Sequence, residues 1–237
     1  MSTCGQPSND LDALRQFDSC LLANAIETFQ VRPRNEGFMS SGAFCRFPHN
    51  PPIVGRAVTG RIRTYMPPIT GKCYYDNIDW WRYVVSVPAP RVVVLQDFDA
   101  RPGFGALFGE VHARICRALD CVAYITNGAV RDLQDIEPLG FQLFAGRVSV
   151  SHAYAHIVDF GEPIEIGGLP IKPGDILHGD RHGILSVPSG LVEKLPAAAE
   201  KLQNEEKELF ALIERPGFSV ERLGDALRQH AEKQRCK

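Results

Sequence analysis

The sequence of 237 residues lacks a basic excess, since 26 lysines and arginines face 28 aspartates and glutamates, for a formal net charge of −2. Clustered positive charge drives binding to phosphate backbones and anionic lipids, so we expect neither nucleic-acid nor membrane partners. No apolar run approaches the roughly 20 residues that a membrane-spanning helix needs. The polar N-terminal segment MSTCGQPSNDL also lacks the apolar stretch of a secretory signal. These absences predict a cytoplasmic protein.

The cysteines lack the arrangement of a disulfide framework or a zinc site. Seven of them are scattered along the chain, and no two form a Cys-x-x-Cys pair. An odd, scattered set is typical of reduced thiols, so we expect most of these cysteines to be small core residues.

Composition indicates one folded domain. Hydrophobic residues make up 44% of the chain and charged residues 23%, which excludes a disordered or collagen-like chain. Domains hold roughly 100–200 residues, and no linker rich in Gly, Pro or Ser divides this chain. We therefore predict a single domain over residues 1–237, with a core at about 11–190 and C-terminal helices at about 197–233.

The N-terminal half predicts helices and strands around a long loop. Apolar residues at helical spacing predict a helix over residues 11–29, and Pro, Gly and Asn predict a loop over 32–52. Alternating side chains predict a strand over 53–65, and a helix is expected over 77–87.

The middle of the chain predicts a βαβ unit. Residues 91–97, RVVVLQD, form a run typical of a strand buried on both faces. A glycine-rich turn over 103–109 leads into a predicted helix over 110–119 and a short strand over 121–125. Elements of these lengths predict two parallel strands joined by a right-handed crossover.

The C-terminal half predicts short strands followed by helices. The local patterns predict a short helix or turn over 133–139, strands over 141–145 and 149–153, a β-rich segment over 161–187, and helices over 197–213 and 220–232. The apolar stripe of the first of these helices must be buried against the protein's own core or a neighbouring subunit. The order of elements predicts an α/β fold with a helical tail.

Two segments carry the residues best suited to chemistry. Residues 105–112, GALFGEVH, pass from a glycine turn into a helix, whose first N–H groups favour an anion. Residues 128–132, GAVRD, directly follow a strand, and ligands in open α/β sheets bind beyond the carboxyl ends of strands. The βαβ unit would bring Glu110, Arg131 and Asp132 together there. Each segment alone is weak evidence, because glycine turns before helices are common and neighbouring Arg and Asp are usually surface charges.

The stretch GEVHARICRALDCVAYITNGAVRD resembles the signature of the 4-hydroxy-4-methyl-2-oxoglutarate aldolase and oxaloacetate decarboxylase family. That family also contains the regulator of ribonuclease E activity A. The segments PIVGRAVTGRI, RVVVLQD and GGLPIKPGDILHGDRHGILSVP resemble further parts of its pattern. The resemblance covers roughly residues 53–188 and is specific only when these motifs are taken together.

This resemblance implies a three-layer β/β/α sandwich of the swivelling-domain type, assembled as a trimer or a dimer of trimers. It implies 2-oxo acid substrates and a divalent metal, with Mg²⁺ expected before Mn²⁺ or Co²⁺. By position, Asp132 is implied to bind the metal and Arg131 to bind the substrate and stabilise its developing negative charge. Glu110 is implied to position a water for proton transfer. The implied pyruvate pocket is lined by Gly109, Glu110, Val111 and His112.

The residue types agree with that chemistry. Cleaving a C–C bond next to a carbonyl produces an enolate of pyruvate, and a hard cation held by oxygen ligands neutralises such a charge. An arginine fork suits a planar oxo-carboxylate. Neither segment contains a lysine, so a Schiff-base route is less attractive.

The sequence departs from the family pattern in three places. Many members carry Leu-Leu where this chain has Val111-His112, so His112 either faces the pocket or is an exposed helix residue, and the exposed position is favoured. The loop over residues 32–52 and the pair Trp80-Trp81 do not map onto the family and could shape a different substrate pocket. Some aldolases receive a C-terminal glutamate from a neighbouring subunit. The candidates here, weighed against a solvated helix face, are Glu205, Glu206 and Glu208.

The predicted function is a class II, metal-dependent pyruvate aldolase or oxaloacetate decarboxylase. The alternative is a non-catalytic protein that regulates a ribonuclease, and a third hypothesis is a lyase or hydrolase for a bulkier oxo acid. Retention of Asp132 favours catalysis, because the regulators tend to lack this aspartate. The pair His152 and His156 is interpreted as part of a strand rather than a metal site.

Overall fold

A large mixed sheet forms the centre of the molecule. The computed structural model describes residues 10–69 and 77–235. In this part of the chain, helices α1 to α7 span Asp10–Leu14, Ser19–Glu27, Asn77–Ser86, Glu110–Ala118, Leu133–Ile136, Leu195–Ile213 and Val220–Arg235. Strands β1 to β11 span Phe44–Cys45, Ile53–Arg63, Arg91–Asp97, Ala106–Phe108, Cys121–Val130, Gln142–Val148, His156–Phe160, Ile164–Ile166, Leu169–Ile171, Ile176–Asp180 and Gly183–Val187.

Nine strands build this large sheet in the order β1-β6-β5-β3-β2-β10-β11, with β4 beside β5 and β7 beside β2. Strands β2, β3, β5 and β6 run parallel to one another, and β10 and β11 form an antiparallel hairpin. The predicted βαβ unit, β3-α4-β5, is confirmed. Strands β8 and β9 form a separate two-stranded sheet.

Strand β3 shows how the three layers arise. Its side chains alternate across the sheet, so Val93 and Leu95 pack with Trp80 of α3 and with α4 on one face. On the other face, Val92 and Val94 pack with the β8-β9 sheet. The run of β-branched residues is therefore buried on both faces. This arrangement of small sheet, large sheet and helices confirms the predicted three-layer β/β/α class.

The N-terminal helix prediction is wrong in one respect, because two helices replace the single helix expected over residues 11–29. Asp18 separates α1 from α2, since its carboxylate accepts a hydrogen bond from the Leu21 N–H at 2.8 Å and caps a new helix. Both helices and α6 bury a common apolar cluster against β10 and β11. This packing holds the first half of the helical tail on the sheet.

A buried carboxylate joins that helical group to the sheet. Asp180, at the end of β10, accepts hydrogen bonds from the backbone N–H and the hydroxyl of Ser19, both at 2.7 Å, and from the His182 N–H at 2.8 Å. Burial alone would raise the pKa of Asp180, but the Ser19 and His182 hydrogen bonds outweigh it and lower that pKa. The ionised Asp180 carboxylate thus holds the turn after β10 against helix α2.

Two strand predictions are also corrected. Strand β5 extends to Val130 rather than ending at residue 125, because Asn127 lies within the sheet and not in a turn. Its side chain accepts from the Asp97 N–H at 2.7 Å and donates to the Asp97 carbonyl at 3.0 Å. Residues 149–153 do not form the predicted strand, and β7 begins later, at His156.

The cysteine prediction is met in part. Cys116 and Cys121 are buried, Cys45 is half-buried and Cys20 is exposed, and all four are free thiols. Cys4, Cys73 and Cys236 lie outside the described residues.

In the described part of the chain, no helix is both long enough and apolar enough to cross a membrane.

Candidate functional site

The two chemistry-bearing segments meet where β5 ends and α4 begins. Strand β4 pairs with the end of β5, and the Arg131 N–H donates to the Phe108 carbonyl at 3.0 Å. Gly109 is the N-cap of α4, so the first turn of this helix lies against Arg131 and Asp132. The two segments are about 20 residues apart in the sequence, and the parallel strands of the βαβ unit bring them together in space.

Gly109 allows a close approach that other residues would block. A Cβ atom at this position would lie 2.5 Å from Asp132 Oδ2 and 3.1 Å from Arg131 Nε. Because that space is free, Asp132 Oδ2 accepts a hydrogen bond from the Glu110 N–H at 3.2 Å. The carboxylate of Asp132 therefore docks onto the positive N-terminal end of α4.

Replacing Gly109 with alanine is expected to destabilise the fold by about 1–3 kcal/mol, since the added methyl group overpacks the contact with Asp132. The measurement is urea unfolding of the variant and the wild type. Gly190→Ala is the matched control, because a Cβ there has no neighbour within 4 Å. Equal stability of the two variants would contradict this close approach.

Arg131 and Asp132 form an ion pair at the end of β5. Arg131 Nε lies 3.3 Å from Asp132 Oδ2, and about a third of each side chain is exposed. Asp132 has a φ of 58°, in the left-handed region that side chains rarely occupy. Such backbone conformations cluster at functional sites, where they aim a side chain. Here the conformation turns the chain from β5 directly into α5.

A cavity of about 390 Å³ opens beside this ion pair, and we call it the Arg131 cavity. All six residues predicted for the site line it: Gly109, Glu110, Val111, His112, Arg131 and Asp132. The other lining residues are Pro68, Trp80, Ala106, Leu107, His152, Ala155, His156 and Ile157. The structure thus brings the predicted residues together, and their chemical roles stay predictions.

The Glu110 carboxylate is engaged along its own helix. Its Oε1 accepts from Arg114 Nε at 2.8 Å and lies 2.7 Å from Arg114 Nη2. Glu110 lines the Arg131 cavity, but one of its oxygens is held by this four-residue helical pair. The other oxygen is the one that would be available to position a water.

The favoured interpretation of His112 as an exposed helix residue is wrong. Its imidazole is half-buried, with ring centroids 6.0 Å from Trp81 and 6.1 Å from Phe108. Burial lowers the pKa of His112, and the nearby Arg131 cation lowers it further. The side chain is therefore a neutral imidazole facing the cavity at neutral pH.

Sequence reasoning missed much of the cavity wall. The sequence pattern does not assign Trp80 to the site and favours strand positions for His152 and His156, yet all three line the cavity. His152 lies in the loop before β7 and His156 begins that strand, so they do not share one regular element. The amphipathic pattern of helix α3 is a local signal that one of its two tryptophans faces the protein interior.

The loop over residues 32–52 lies away from the Arg131 cavity, contrary to its suggested role in the substrate pocket. None of its residues lines that cavity. Its backbone is held elsewhere, since the Met39 N–H donates to the Ile184 carbonyl at 2.9 Å. Strand β1, within the loop, pairs with β6. Its residues Met39 and Ala43 pack on the β8-β9 side of the large sheet, and Phe47 packs in the cluster on the opposite face.

The three C-terminal glutamates considered for a neighbouring subunit lie on α6. Glu205, Glu206 and Glu208 do not line the Arg131 cavity of their own chain. Glu205 lies 3.7 Å from Lys201 in a helical ion pair. A role for any of them at the site would need another copy, and both this role and the trimer or dimer of trimers stay predictions.

The carboxylate oxygens beside the cavity are of the type that hard cations prefer. Mg²⁺ binds through one or two carboxylates, keeps several waters and uses oxygens of its substrate. Among residues 10–69 and 77–235, no three His, Cys, Asp or Glu side chains are grouped to hold an ion. The single Asp132 carboxylate beside an open cavity suits Mg²⁺, which keeps several waters, better than it suits an ion that needs all of its ligands from the protein. The metal itself stays a prediction.

Comparison with known proteins gives a family match over most of the chain. A family model described as RraA-like, Aldolase/RraA, matches residues 20–186. A protein of Halalkalibacterium halodurans named "Putative 4-hydroxy-4-methyl-2-oxoglutarate aldolase" is 29% identical over 103 residues. The match covers 43% of this chain and 49% of that relative, so the chain spans about half the relative's length.

Solved structures share the fold over nearly the whole chain. An uncharacterised protein from Pseudomonas syringae pv. tomato superposes with a TM-score of 0.71 at 19% identity, covering 97% of both chains. Streptomyces coelicolor RraAS2, described as an unusual member of the RNase ES inhibitor RraA family, gives a TM-score of 0.66 at 17% identity. It covers 88% of this chain and 98% of its own. At these identities the likeness establishes the fold alone.

Proposed function

Because the chain belongs to the RraA-like family, which contains aldolases and ribonuclease inhibitors, we propose that it is a divalent-metal-dependent lyase for 2-oxo acids. The reaction is cleavage of a C–C bond through a pyruvate enolate. The substrates proposed are 4-hydroxy-4-methyl-2-oxoglutarate, by retro-aldol cleavage, and oxaloacetate, by decarboxylation. One observation carries the proposal: Arg131, Asp132 and the N-terminal turn of α4 line one cavity.

The start of α4 is suited to the carboxylate of an oxo acid. The first N–H groups of a helix have no intrahelical acceptor and carry partial positive charge. The Glu110 N–H is taken by Asp132, which leaves the N–H groups of Val111 and His112 for a ligand. Two parallel N–H groups match the two oxygens of a carboxylate. The 2-oxo acid end of the substrate is therefore proposed to bind here.

Arg131 is suited to the charge that develops during cleavage. Its Nε faces Asp132, so the rest of its guanidinium remains to contact the 2-oxo group. Negative charge accumulates on that oxygen when the C–C bond breaks. A fixed guanidinium stabilises it without reorganising at the moment of reaction. Asp132 in turn holds the guanidinium in place.

Asp132 is the residue proposed to hold the metal, with water and substrate oxygens completing the ligand set. A bound divalent cation would supply Lewis-acid polarisation of the 2-oxo group. The chain's own contribution is to fix the carboxylate, through the left-handed backbone at Asp132 and the hydrogen bond from the Glu110 N–H. Trp80 and Ile157 supply apolar walls on that side of the cavity.

The test is pyruvate release from each substrate, with Mg²⁺ and with EDTA. We expect turnover with Mg²⁺, nearly complete loss in EDTA, and recovery when Mg²⁺ is restored. Circular dichroism in EDTA is the control, because a folded protein that has lost activity has lost a cofactor and not its structure. A folded wild-type protein without turnover in Mg²⁺, Mn²⁺ or Co²⁺ would overturn the proposed activity on these two substrates, in favour of an enzyme for a bulkier oxo acid or the ribonuclease-regulator alternative.

A further inference from the structure

The His112 imidazole is placed as a proton carrier would be. It sits two residues into α4, lines the Arg131 cavity and rests beside the Trp81 and Phe108 rings. These aromatic neighbours fix the ring by packing alone. No described residue donates a hydrogen bond to the ring or accepts one from it, and its nitrogens are not among the buried polar atoms. A ring nitrogen is thus available to a ligand in the cavity.

Each of the other titratable groups around the cavity has at least one hydrogen-bond or ion-pair partner in the protein. Glu110 pairs with Arg114, and Asp132 pairs with Arg131 and the α4 backbone. The other two imidazoles have their Nδ1 atoms near backbone carbonyls, His152 at 2.9 Å from the Ala153 oxygen and His156 at 2.6 Å from the Tyr154 oxygen. His112 differs from all of these because packing, rather than hydrogen bonding, holds its ring.

We propose that the His112 side chain carries the proton in the cleavage reaction, taking it from the substrate's C4 hydroxyl and returning it to C3. This inference rests on the proposed function and adds a catalytic residue to it. The family resemblance implied a lining role for His112, and the proton transfer is assigned here from the position of the imidazole.

The proton transfer balances within one turnover. Neutral His112 takes the hydroxyl proton at C4, and the O–H electron pair becomes the new C4 carbonyl. The C3–C4 bond breaks, and its electron pair forms the C2–C3 double bond of the enolate, with negative charge on the C2 oxygen near Arg131. The imidazolium then protonates C3, and the enolate collapses to pyruvate. One substrate yields two pyruvates, and His112 ends neutral.

The charge environment favours this cycle. Burial and, to a smaller extent, the nearby Arg131 cation disfavour imidazolium, so the pKa of His112 lies below the ordinary 6.5. The resting ring is consequently a base at neutral pH, and the imidazolium formed during cleavage is a strong acid toward the enolate. The other charged or titratable groups around this space are Glu110, Arg114, Asp132, His152 and His156.

The experiment is exchange of pyruvate methyl protons in D₂O, followed by ¹H NMR with Mg²⁺-loaded protein. Exchange isolates the proton transfer at C3 from bond cleavage. We expect His112→Asn to slow exchange and retro-aldol turnover by about 100-fold or more, the usual size of a general acid–base contribution. Oxalate, a planar mimic of the enolate, is the binding probe, and its Kd is expected to change little. His49→Asn, in an exposed loop position, is the matched control.

A pH profile gives an independent measurement. In the wild type, kcat/KM is expected to rise with pH, with the midpoint of the rise below the ordinary histidine pKa of 6.5. His112→Asn should lose this rise, and His49→Asn should keep it. If His112→Asn binds oxalate and retains wild-type exchange or the same acid limb, the proton-carrier proposal is wrong. If the wild type neither binds oxalate nor exchanges pyruvate protons, the proposed lyase function itself is wrong.

Discussion

Asp132→Asn is expected to abolish most metal-dependent turnover. Mutating a residue that only hydrogen-bonds to a metal ligand lowers metal affinity or activity by about 10–100-fold. Removing the charge of the proposed ligand itself should therefore lower turnover by more than about 100-fold. Asparagine keeps an oxygen that can accept the Glu110 N–H, and it tolerates the left-handed backbone at this position. The fold should therefore survive while the metal affinity falls.

The measurement is turnover against Mg²⁺ concentration for Asp132→Asn and for Asp135→Asn. Asp135 is an exposed carboxylate on α5 and is the matched control, because it carries the same charge three residues away but does not line the Arg131 cavity. We expect the control to follow the wild-type curve. Equal curves for both variants would show that Asp132 does not hold the metal.

Arg131→Lys is expected to lower kcat/KM by about 100- to 1000-fold, the range found when one donor to a developing oxyanion is removed. Lysine keeps the positive charge but lacks the planar fork that contacts Asp132 and an oxo-carboxylate together. The loss should appear in kcat as well as in KM, because the charge on the C2 oxygen is largest in the transition state.

Steady-state kinetics with the oxo acid substrates, compared between Arg131→Lys and Arg101→Lys, test this expectation. Arg101 is an exposed residue outside the cavity, so the same substitution there should leave both constants near wild type. If Arg131→Lys lowers kcat/KM by only a few fold, Arg131 contributes positive charge alone and does not stabilise the enolate through its planar fork.

Elements with local patterns were predictable from the sequence. The run over residues 91–97 became β3 with the same bounds, because β-branched side chains on both faces permit little else. The helix at Glu110 also began where predicted, since the glycine before it supplies the N-cap. The meeting of both site segments followed from βαβ geometry, while the roles of Arg131 and Asp132 came from the family resemblance.

Features that depend on particular side-chain hydrogen bonds and packing contacts were not predictable. Helical spacing continues across Asp18, and only the cap to Leu21 shows where the helix is interrupted. Asn127 and Gly128 are typical turn residues, but a side-chain bridge to Asp97 keeps Asn127 in strand β5. The inward position of His112 depends on Trp81, which lies some 30 residues earlier in the chain.

The missing side chain at Gly109 has an evolutionary consequence. Two positions 23 residues apart are bound together, because any side chain at 109 occupies the space of the Asp132 carboxylate. A side chain at position 109 and a carboxylate held against the α4 backbone by residue 132 therefore compete for one space, and substitutions at the two positions are expected to occur together.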